Sequence, residues 1–413
     1  SSCADDAEAG VLSVDEARQR ILAEITPITA LEKMALRTAL GRVLAEDVIS
    51  PLNVPSHTNS AMDGYALSIA DLDNGISQFE CIATAYAGQP YQGQCQPGQC
   101  VRIMTGGPMP KGTDTIIMQE QAEVLPDGKV QFAGQHRAGQ NVRLAGEDIS
   151  VGSVVINSGH RMLPADLGVV ASLGIGEVRI RRRPRVAFFS TGDELRSIGE
   201  TLGEGEIYDS NRYSLYGMLT RLGVEIMDLG VVPDQPAAVR DAFHMAAGMA
   251  DVVITSGGVS VGEADYIKPV LEELGDPKFW KIAMKPGRPL TFGHLGDALF
   301  FGLPGNPVAV MVTFYQFVQP ALHYLASGRP YLPLTLNAVC NQDLRKRPGR
   351  TEFLRGILQQ SDNAELQVAT AGKQGSGILS SMSRANCFII LEQDSGDIEA
   401  GTVVTVQPFE CFV

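Results

Sequence analysis

Three glycine-bearing loops follow short apolar runs: STGDEL at 190–195, TSGGVSVGEADY at 255–266 and GLPGNP at 302–307. Glycine lets backbone N–H groups approach an anion closely, and two of these loops lead into helix starts, which also favour anions. Singly, each fits an ordinary strand-to-helix turn. Three on one domain point to a nucleotide or phosphate site, with Ser256, Gly257, Gly258, Gly305 and Asn306 as its candidate lining. The loops also carry Asp193, Glu194, Glu263 and Asp265, too many carboxylates for a bare phosphate pocket. Hard oxygens beside a phosphate loop suit Mg²⁺. The other reading is that these acids cap helix starts. Lys281, Lys285 and Arg288 in KIAMKPGRP, 281–289, can neutralise an oxyanion, arginine in a bidentate fashion. Solvated surface cations are the alternative; the confined Lys-Pro-Gly-Arg-Pro turn favours function.

A second set of polar turns lies earlier. PSHTNSAMDGYAL (55–67) holds Asp63, RIMTGGPMPKGTDTIIMQE (102–120) holds Thr105 and Gly106, and NVRLAGEDI (141–149) ends near Asp148. Each also fits an ordinary turn, and spacing alone does not join them to the loops above. The six histidines show no H-E-x-x-H spacing, and no G-x-S-x-G elbow, Walker A loop or kinase set occurs. Ser–His nucleophilic catalysis is unsupported.

Positioning these residues falls to several kinds of element. Residues 13–25 open with a capping box, Ser13 and Glu16, ahead of one apolar stripe, and predict an amphipathic helix. A second short helix is expected over 30–40. From about 50 to 145, Pro and Gly are frequent and apolar runs are short, which predicts a β-rich module. More short strands follow to 181. The basic run RIRRRPR then reads as a solvated hinge, with a nucleic-acid patch as the alternative. Beyond it, strand–loop–helix units alternate, predicting a parallel sheet with helices on both faces and ligands at the carboxyl ends of its strands. From about 329 onward strands dominate again, as in a small all-β domain.

Composition limits the function classes. The chain has 413 residues, enough for more than one domain, and 33 Lys+Arg against 47 Asp+Glu give a net charge of −14. Such a chain is a poor general binder of nucleic acid. Seven scattered cysteines, without a C-x-x-C pair, argue against a disulfide framework and a thiolate zinc site and favour the cytoplasm. SSCADDAEAG is no signal peptide and reads as a flexible tail. Residues 298–328 lack Asp, Glu, Lys and Arg, but GLPGNP interrupts them and the apolar stretch is too short to span about 20 residues of membrane.

NSAMDGYA, RIMTGGPMP, GEDI, STGDEL, ITSGGVSVGEADY, KPGRP, GLPGNPVA and QGSGILSSMSRAN, in that order, closely resemble the molybdopterin molybdenumtransferase (MoeA) family, which includes the C-terminal domain of gephyrin. The match runs from about residue 12 to 413. GLPGNP and the SGG loop alone also occur in related molybdopterin-binding domains; the combination is highly specific.

The resemblance implies an elongated multidomain subunit of α/β plus β-rich domains. It divides the chain into a linking and dimerisation domain (11–52 with 145–181), a β-rich domain (53–144), a doubly wound molybdopterin-binding α/β domain (182–328) and a C-terminal β-barrel-like domain (329–413). It implies a homodimer with an active site shared between subunits. The substrates would be adenylylated molybdopterin and molybdate, the released product AMP, and the cofactor Mg²⁺. Transient contact with the adenylyltransferase that supplies the intermediate is also implied. By matching motif the functional positions are Asp63, Thr105, Asp148, Asp193, Glu194, Asp234, Asp265, Lys281, Lys285, Arg355 and Ser376. Asp193, Glu194 and Asp265 would hold Mg²⁺, and Lys281 and Lys285 would stabilise charge as the phosphoanhydride breaks. Thr105 and its glycines would receive molybdate, and Asp63 and Asp148 would orient a water or the metal. Arg288 stands where many relatives carry lysine, which keeps the charge. A molybdopterin adenylyltransferase and a non-catalytic gephyrin-like scaffold are the rival readings; the β-rich regions argue against the first, the retained carboxylates and lysines against the second.

Overall fold

The computed structural model describes residues 10–257 and 267–409. Gly258, Glu263 and Asp265 lie outside the described residues. The chain forms two compact units, Ser1–Glu32 with Arg181–Val413, and Lys33–Ile180.

The larger unit contains a seven-stranded sheet in the order Val11–Leu12, Lys278–Ile282, Pro289–Leu295, Ala298–Leu303, Val252–Ser256, Arg185–Thr191, Glu225–Val232. Only Pro289–Leu295 runs antiparallel to its neighbours. Side chains of a strand alternate between faces, and each face here has its own core. Val186 and Phe188 pack with helices Ser210–Leu222 and Pro307–Thr313. Ala187 and Phe189 pack with helices Pro236–Met249 and Ile267–Leu274. Burial on both faces explains why these strands read as continuous apolar runs. The expected doubly wound α/β architecture is present.

Ser13 caps helix Val14–Ala23 through the expected reciprocal box: the Glu16 N–H donates to Ser13 Oγ at 3.2 Å and the Ser13 N–H to Glu16 Oε2 at 2.8 Å. The helix buries Ala17 and Ile21 in the first of these cores, and Val11 pairs with Lys281. Residues 11–23, grouped with the linking segment on sequence, therefore pack with the α/β sheet, because an apolar stripe does not name its partner. The charge-free segment forms helix Pro307–Thr313, a π-turn at Phe314–Val318 and helix Gln319–Ser327, all contributing to that same core. Among the described residues no helix is long and apolar enough to cross a membrane.

Five further strands close a barrel: Thr351–Gln360 pairs with both Leu366–Thr370 and Cys387–Leu391, and Leu336–Cys340 and Val403–Pro408 complete the circuit. The smaller unit holds a six-stranded sheet, including Gly64–Leu67, Gln78–Ala85, Gln99–Ile103 and Thr115–Met118. The helix expected over 30–40 is a correction. Leu31–Ala35 is a strand, followed by a short 3₁₀ turn at Leu36–Thr38. So short a segment gains little from helix propensity.

The basic run is ion-paired rather than simply solvated. Arg182 makes a fork of two 2.8 Å bonds to Asp251, Arg185 meets Glu225 at 3.2 Å and Arg179 meets Glu46 at 2.9 Å. These pairs consume the charge a nucleic-acid patch would need. The five described cysteines are free.

Candidate active site

Register brings the strand-end loops to one edge. Ser190 lies beside Ser256, Ser256 beside Leu303, and Thr191 beside Val232. The loops that follow carry Asp193 and Glu194, Gly257, Gly305 with Asn306, and Asp234. Close approach needs the glycines. Gly257 has φ +90° and a Cβ there would meet the Thr191 carbonyl oxygen at 2.8 Å; a Cβ on Gly305 would touch Gly257 Cα at 3.9 Å. The buried Ser256 hydroxyl bonds Ser190 Oγ at 2.9 Å, so it acts within the wall of the crevice.

Helix starts complete this edge. Pro307–Thr313 begins at Asn306, whose side chain makes no capping bond. The Val308 N–H donates to the Ser376 carbonyl at 3.1 Å, which brings the distant QGSG loop to the GLPGNP helix. Arg355, 1% exposed, holds that loop. Its Nε donates to Ser381 Oγ (3.1 Å), its Nη2 to the Gly375 carbonyl (3.2 Å), and its backbone N–H to Gln374 (2.8 Å). Burial alone pulls the guanidinium down to about 10. Arg355 therefore positions Ser376 rather than projecting into open solvent.

Four buried polar atoms at this edge have no hydrogen-bond partner among the described residues: Thr191 Oγ1, Thr255 Oγ1, Asp209 Oδ2 and Asn211 Oδ1. Orphaned buried polar atoms cost about 1–3 kcal/mol each, and their concentration here marks a place for a ligand to complete. Asp209 caps helix Ser210–Leu222 through Oδ1, and Asn211 Nδ2 donates to the Gly305 carbonyl at 2.8 Å. Sequence analysis singled out neither residue; Asp209, three residues before Arg212, was the available cap signal.

The carboxylates gather beside the edge. Burial, then the charges of Asp193 and Glu194, hold the Asp234 carboxyl above its usual range. A Cβ on Gly192 would strike the Glu194 carboxylate at 2.6 Å, showing that this side chain folds back over its own loop. Among the described residues no three acidic, His or Cys side chains form a ready metal cage. The set still fits Mg²⁺, which takes hard oxygens, needs only one or two carboxylates and keeps several waters. Unrelieved like charge around Asp234 is what a cation there would remove.

Lys281 lies within strand Lys278–Ile282, exposed, not in the turn after it. Lys285 pairs in register with Glu352 of the barrel, and its Nζ stands 3.4 Å from both Glu352 oxygens. Lys285 lines a cleft of about 860 Å³ with Arg345, Arg347 and Arg350, against two carboxylates, Glu352 and Asp397. This is a local positive surplus on a chain of net charge −14.

In the smaller unit the structure joins Asp63 to Thr105, whose N–H and Oγ1 both donate to Asp63 Oδ1 at 2.7 and 2.8 Å. Gly106 follows with φ +78°, its N–H bonded to the Ser60 carbonyl. Asp148 is exposed and its N–H bonds the Val54 carbonyl; no described side-chain contact joins it to Asp63 or Thr105.

Models of known families match almost the whole chain: the MoeA N-terminal region (domain I and II) over 12–174, a probable molybdopterin binding domain over 187–324, and the MoeA C-terminal region (domain IV) over 337–409. The chain is 44% identical to a molybdopterin molybdenumtransferase of Haemophilus influenzae, over 97% of this chain and 99% of that protein. It is 33% identical to one of Bacillus subtilis, over 96% and 93%. A gephyrin of Dictyostelium discoideum is 32% identical over 95% of this chain and 61% of its own length. Among solved structures, a molybdopterin biosynthesis MoeA protein of Pyrococcus horikoshii superimposes with a TM-score of 0.84 at 28% identity, covering 97% and 100%.

Proposed function

Because the chain belongs to the molybdopterin molybdenumtransferase (MoeA) family, we propose that it is the enzyme that inserts molybdenum into molybdopterin. The observation that carries this reading is the edge of the α/β sheet. There, close-approaching glycine backbone lines the strand ends, while the loops carry Asp193, Glu194 and Asp234, whose like charges act on one another.

The substrates are taken as adenylylated molybdopterin and molybdate, with AMP released. The Gly305 N–H would help cradle the phosphates, with Gly257, whose own N–H donates to the Leu303 carbonyl, leaving room for their close approach. Asp193 and Glu194, with Asp265, would hold Mg²⁺, which supplies charge neutralisation across the phosphoanhydride when bound. Lys281 and Lys285 would stabilise negative charge developing on the leaving phosphate. Arg355 would keep the Gly375–Gly377 backbone in place. Thr105 and Gly106 would receive molybdate beside the ionised Asp63, and Asp148 would act near them. The active species is taken to be a cytoplasmic homodimer sharing its sites between subunits and meeting the adenylyltransferase transiently.

The test is incubation of the pure protein with adenylylated molybdopterin, molybdate and Mg²⁺. AMP release that requires molybdate supports the transferase. Consumption of ATP would instead indicate an adenylyltransferase, and neither activity a scaffold. Light scattering of the purified chain checks the dimer.

A further inference from the structure

Cys81 and Cys100 stand directly opposite each other on the parallel strands Gln78–Ala85 and Gln99–Ile103 of the smaller unit. Neighbouring strands lie about 4.7–4.9 Å apart, inside the roughly 4.4–6.8 Å that a disulfide spans between Cα atoms. The Cys100 thiol hydrogen-bonds the Cys81 sulfur, so the two side chains already meet. A bulge follows, with two residues of the first strand advancing against one of the second between Cys81 and Ala83. Bulges re-aim side chains, and here an exposed Cys81 adjoins a fully buried Cys100.

The two sulfurs differ in chemistry. The hydrogen bond from Cys100 first, then backbone bonds at Arg102 and Ala83 and the Arg102 charge, hold the Cys81 thiol down at about 6 against desolvation. The bond to Cys81, then burial, push the Cys100 thiol up. One sulfur is therefore an exposed thiolate at neutral pH and the other a protonated partner behind it, which suits an attacking and a resolving thiol. The other described cysteines are placed differently. Cys95 donates to the Gln99 carbonyl and Cys340 to the Gln342 carbonyl, each at 3.1 Å, and burial pushes the Cys387 thiol up to about 12.

We propose that Cys81 and Cys100 are a peroxide-oxidised thiol pair that closes a reversible disulfide between neighbouring strands. The Cys81 thiolate attacks one oxygen of hydrogen peroxide. The S–O bond forms, the O–O bond breaks, and the hydroxide that leaves takes up a proton. The Cys100 sulfur then attacks the sulfur of the Cys81 sulfenic acid. The S–S bond forms, the S–O bond breaks, and the departing hydroxide carries off the Cys100 proton as water. The two sulfurs lose two electrons, the peroxide gains them, and two waters leave. Two molecules of a small thiol reverse the bond by exchange. This chemistry is independent of the transferase reading.

Peptide mapping of the full chain tests this. The folded protein is treated with hydrogen peroxide, alkylated to block its remaining thiols, and digested with chymotrypsin, which cuts at Tyr86 and Tyr91 between the two cysteines. The peptides carrying Cys81 and Cys100 should be recovered linked, and dithiothreitol should separate them. Without peroxide, Cys81 should be alkylated about tenfold or more faster than Cys387. Cys100→Ser should abolish the bond and leave a Cys81 sulfenic acid that dimedone traps, while Cys95→Ser should link as the unmodified chain does. Absence of the bond from the peroxide-treated unmodified chain overturns the proposal. So does a bond from Cys81 to Cys95 or to a second chain, or a Cys81 alkylated no faster than Cys387. If Cys100→Ser fails to fold, fragment masses of the linked peptide separate Cys95 from Cys100 and decide the matter on the unmodified chain alone.

Discussion

Thr105 directs two donors, its backbone N–H and its hydroxyl, at a single oxygen of Asp63, at 2.7 and 2.8 Å. The backbone bond first, then the hydroxyl bond, hold the Asp63 carboxyl below its usual range. This pair is built to keep a carboxylate ionised and aimed, although it sits at the surface.

Thr105→Val removes one of the two bonds and keeps the shape. Asp63 should then titrate at higher pH, followed by carbon NMR of its carboxyl. Molybdenum insertion should fall by roughly tenfold, about the loss of one bond to a charged group. An unchanged Asp63 titration with full activity would remove Thr105 from the site.

Asp234 behaves in the opposite sense. Its native pKa is raised above the unfolded value of about 3.9. The native state therefore holds a proton that the unfolded state has lost, and the associated stability disappears as pH rises through the native value. At neutral pH the ionised Asp234 destabilises the fold. Asp234→Asn should raise the melting temperature at pH 7 more than at pH 4, while activity drops. Mg²⁺ should raise the melting temperature of the unmodified protein and have a smaller effect on Asp193→Asn. Thermal unfolding with and without Mg²⁺ reads all of this, and a melting temperature indifferent to the cation would count against the metal assignment.

Asp251 joins the start of the α/β unit. Burial pushes its carboxyl up, but the Arg182 fork and the Arg185 N–H outweigh that and leave it lowered. Its contribution is thus present above the unfolded value and is lost as pH falls through the native one. Asp251→Ala should cost roughly 2–3 kcal/mol near pH 7, because partly buried charged bonds lose their partner. In urea unfolding the difference from the unmodified chain should shrink on acidification to pH 3.

Two glycines of the crevice should differ in tolerance. Gly257→Ala combines a left-handed φ of +90° with a 2.8 Å clash against backbone; roughly 1–3 kcal/mol of strain is expected, with loss of AMP binding. Gly305→Ala meets only Gly257 Cα at 3.9 Å, so it should fold nearly normally. Melting temperatures of the two variants decide this, and equal losses would contradict the described loop geometry.

Much of the chain was legible residue by residue. The capping box at Ser13 and Glu16 and the strand–helix alternation beyond the basic run follow local rules and appear as read. The strand at Leu31–Ala35 did not, since five residues carry too little periodicity to choose between helix and strand. Arg355 was singled out by its motif, but its bonds to Ser381 and Gly375 join residues about twenty or more positions away, which no local pattern displays. Asp209 was passed over because a buried cap and a surface cap look alike in sequence.

The sequence by itself determined which segments alternate between strand and helix, which loops can approach an anion, and that hard oxygen donors stand beside them. These properties depend on residue type and short-range spacing. Only the tertiary structure decided that Ser190, Ser256 and Leu303 align to put those loops on one edge. It also decided that the charges of Asp193 and Glu194 reach Asp234, and that Asp209 and Asn211 each keep an oxygen without a partner among the described residues. Sheet register and burial are set by side chains distant in the chain that share one core, so their consequences for charge and hydrogen bonding exist only once that core has formed.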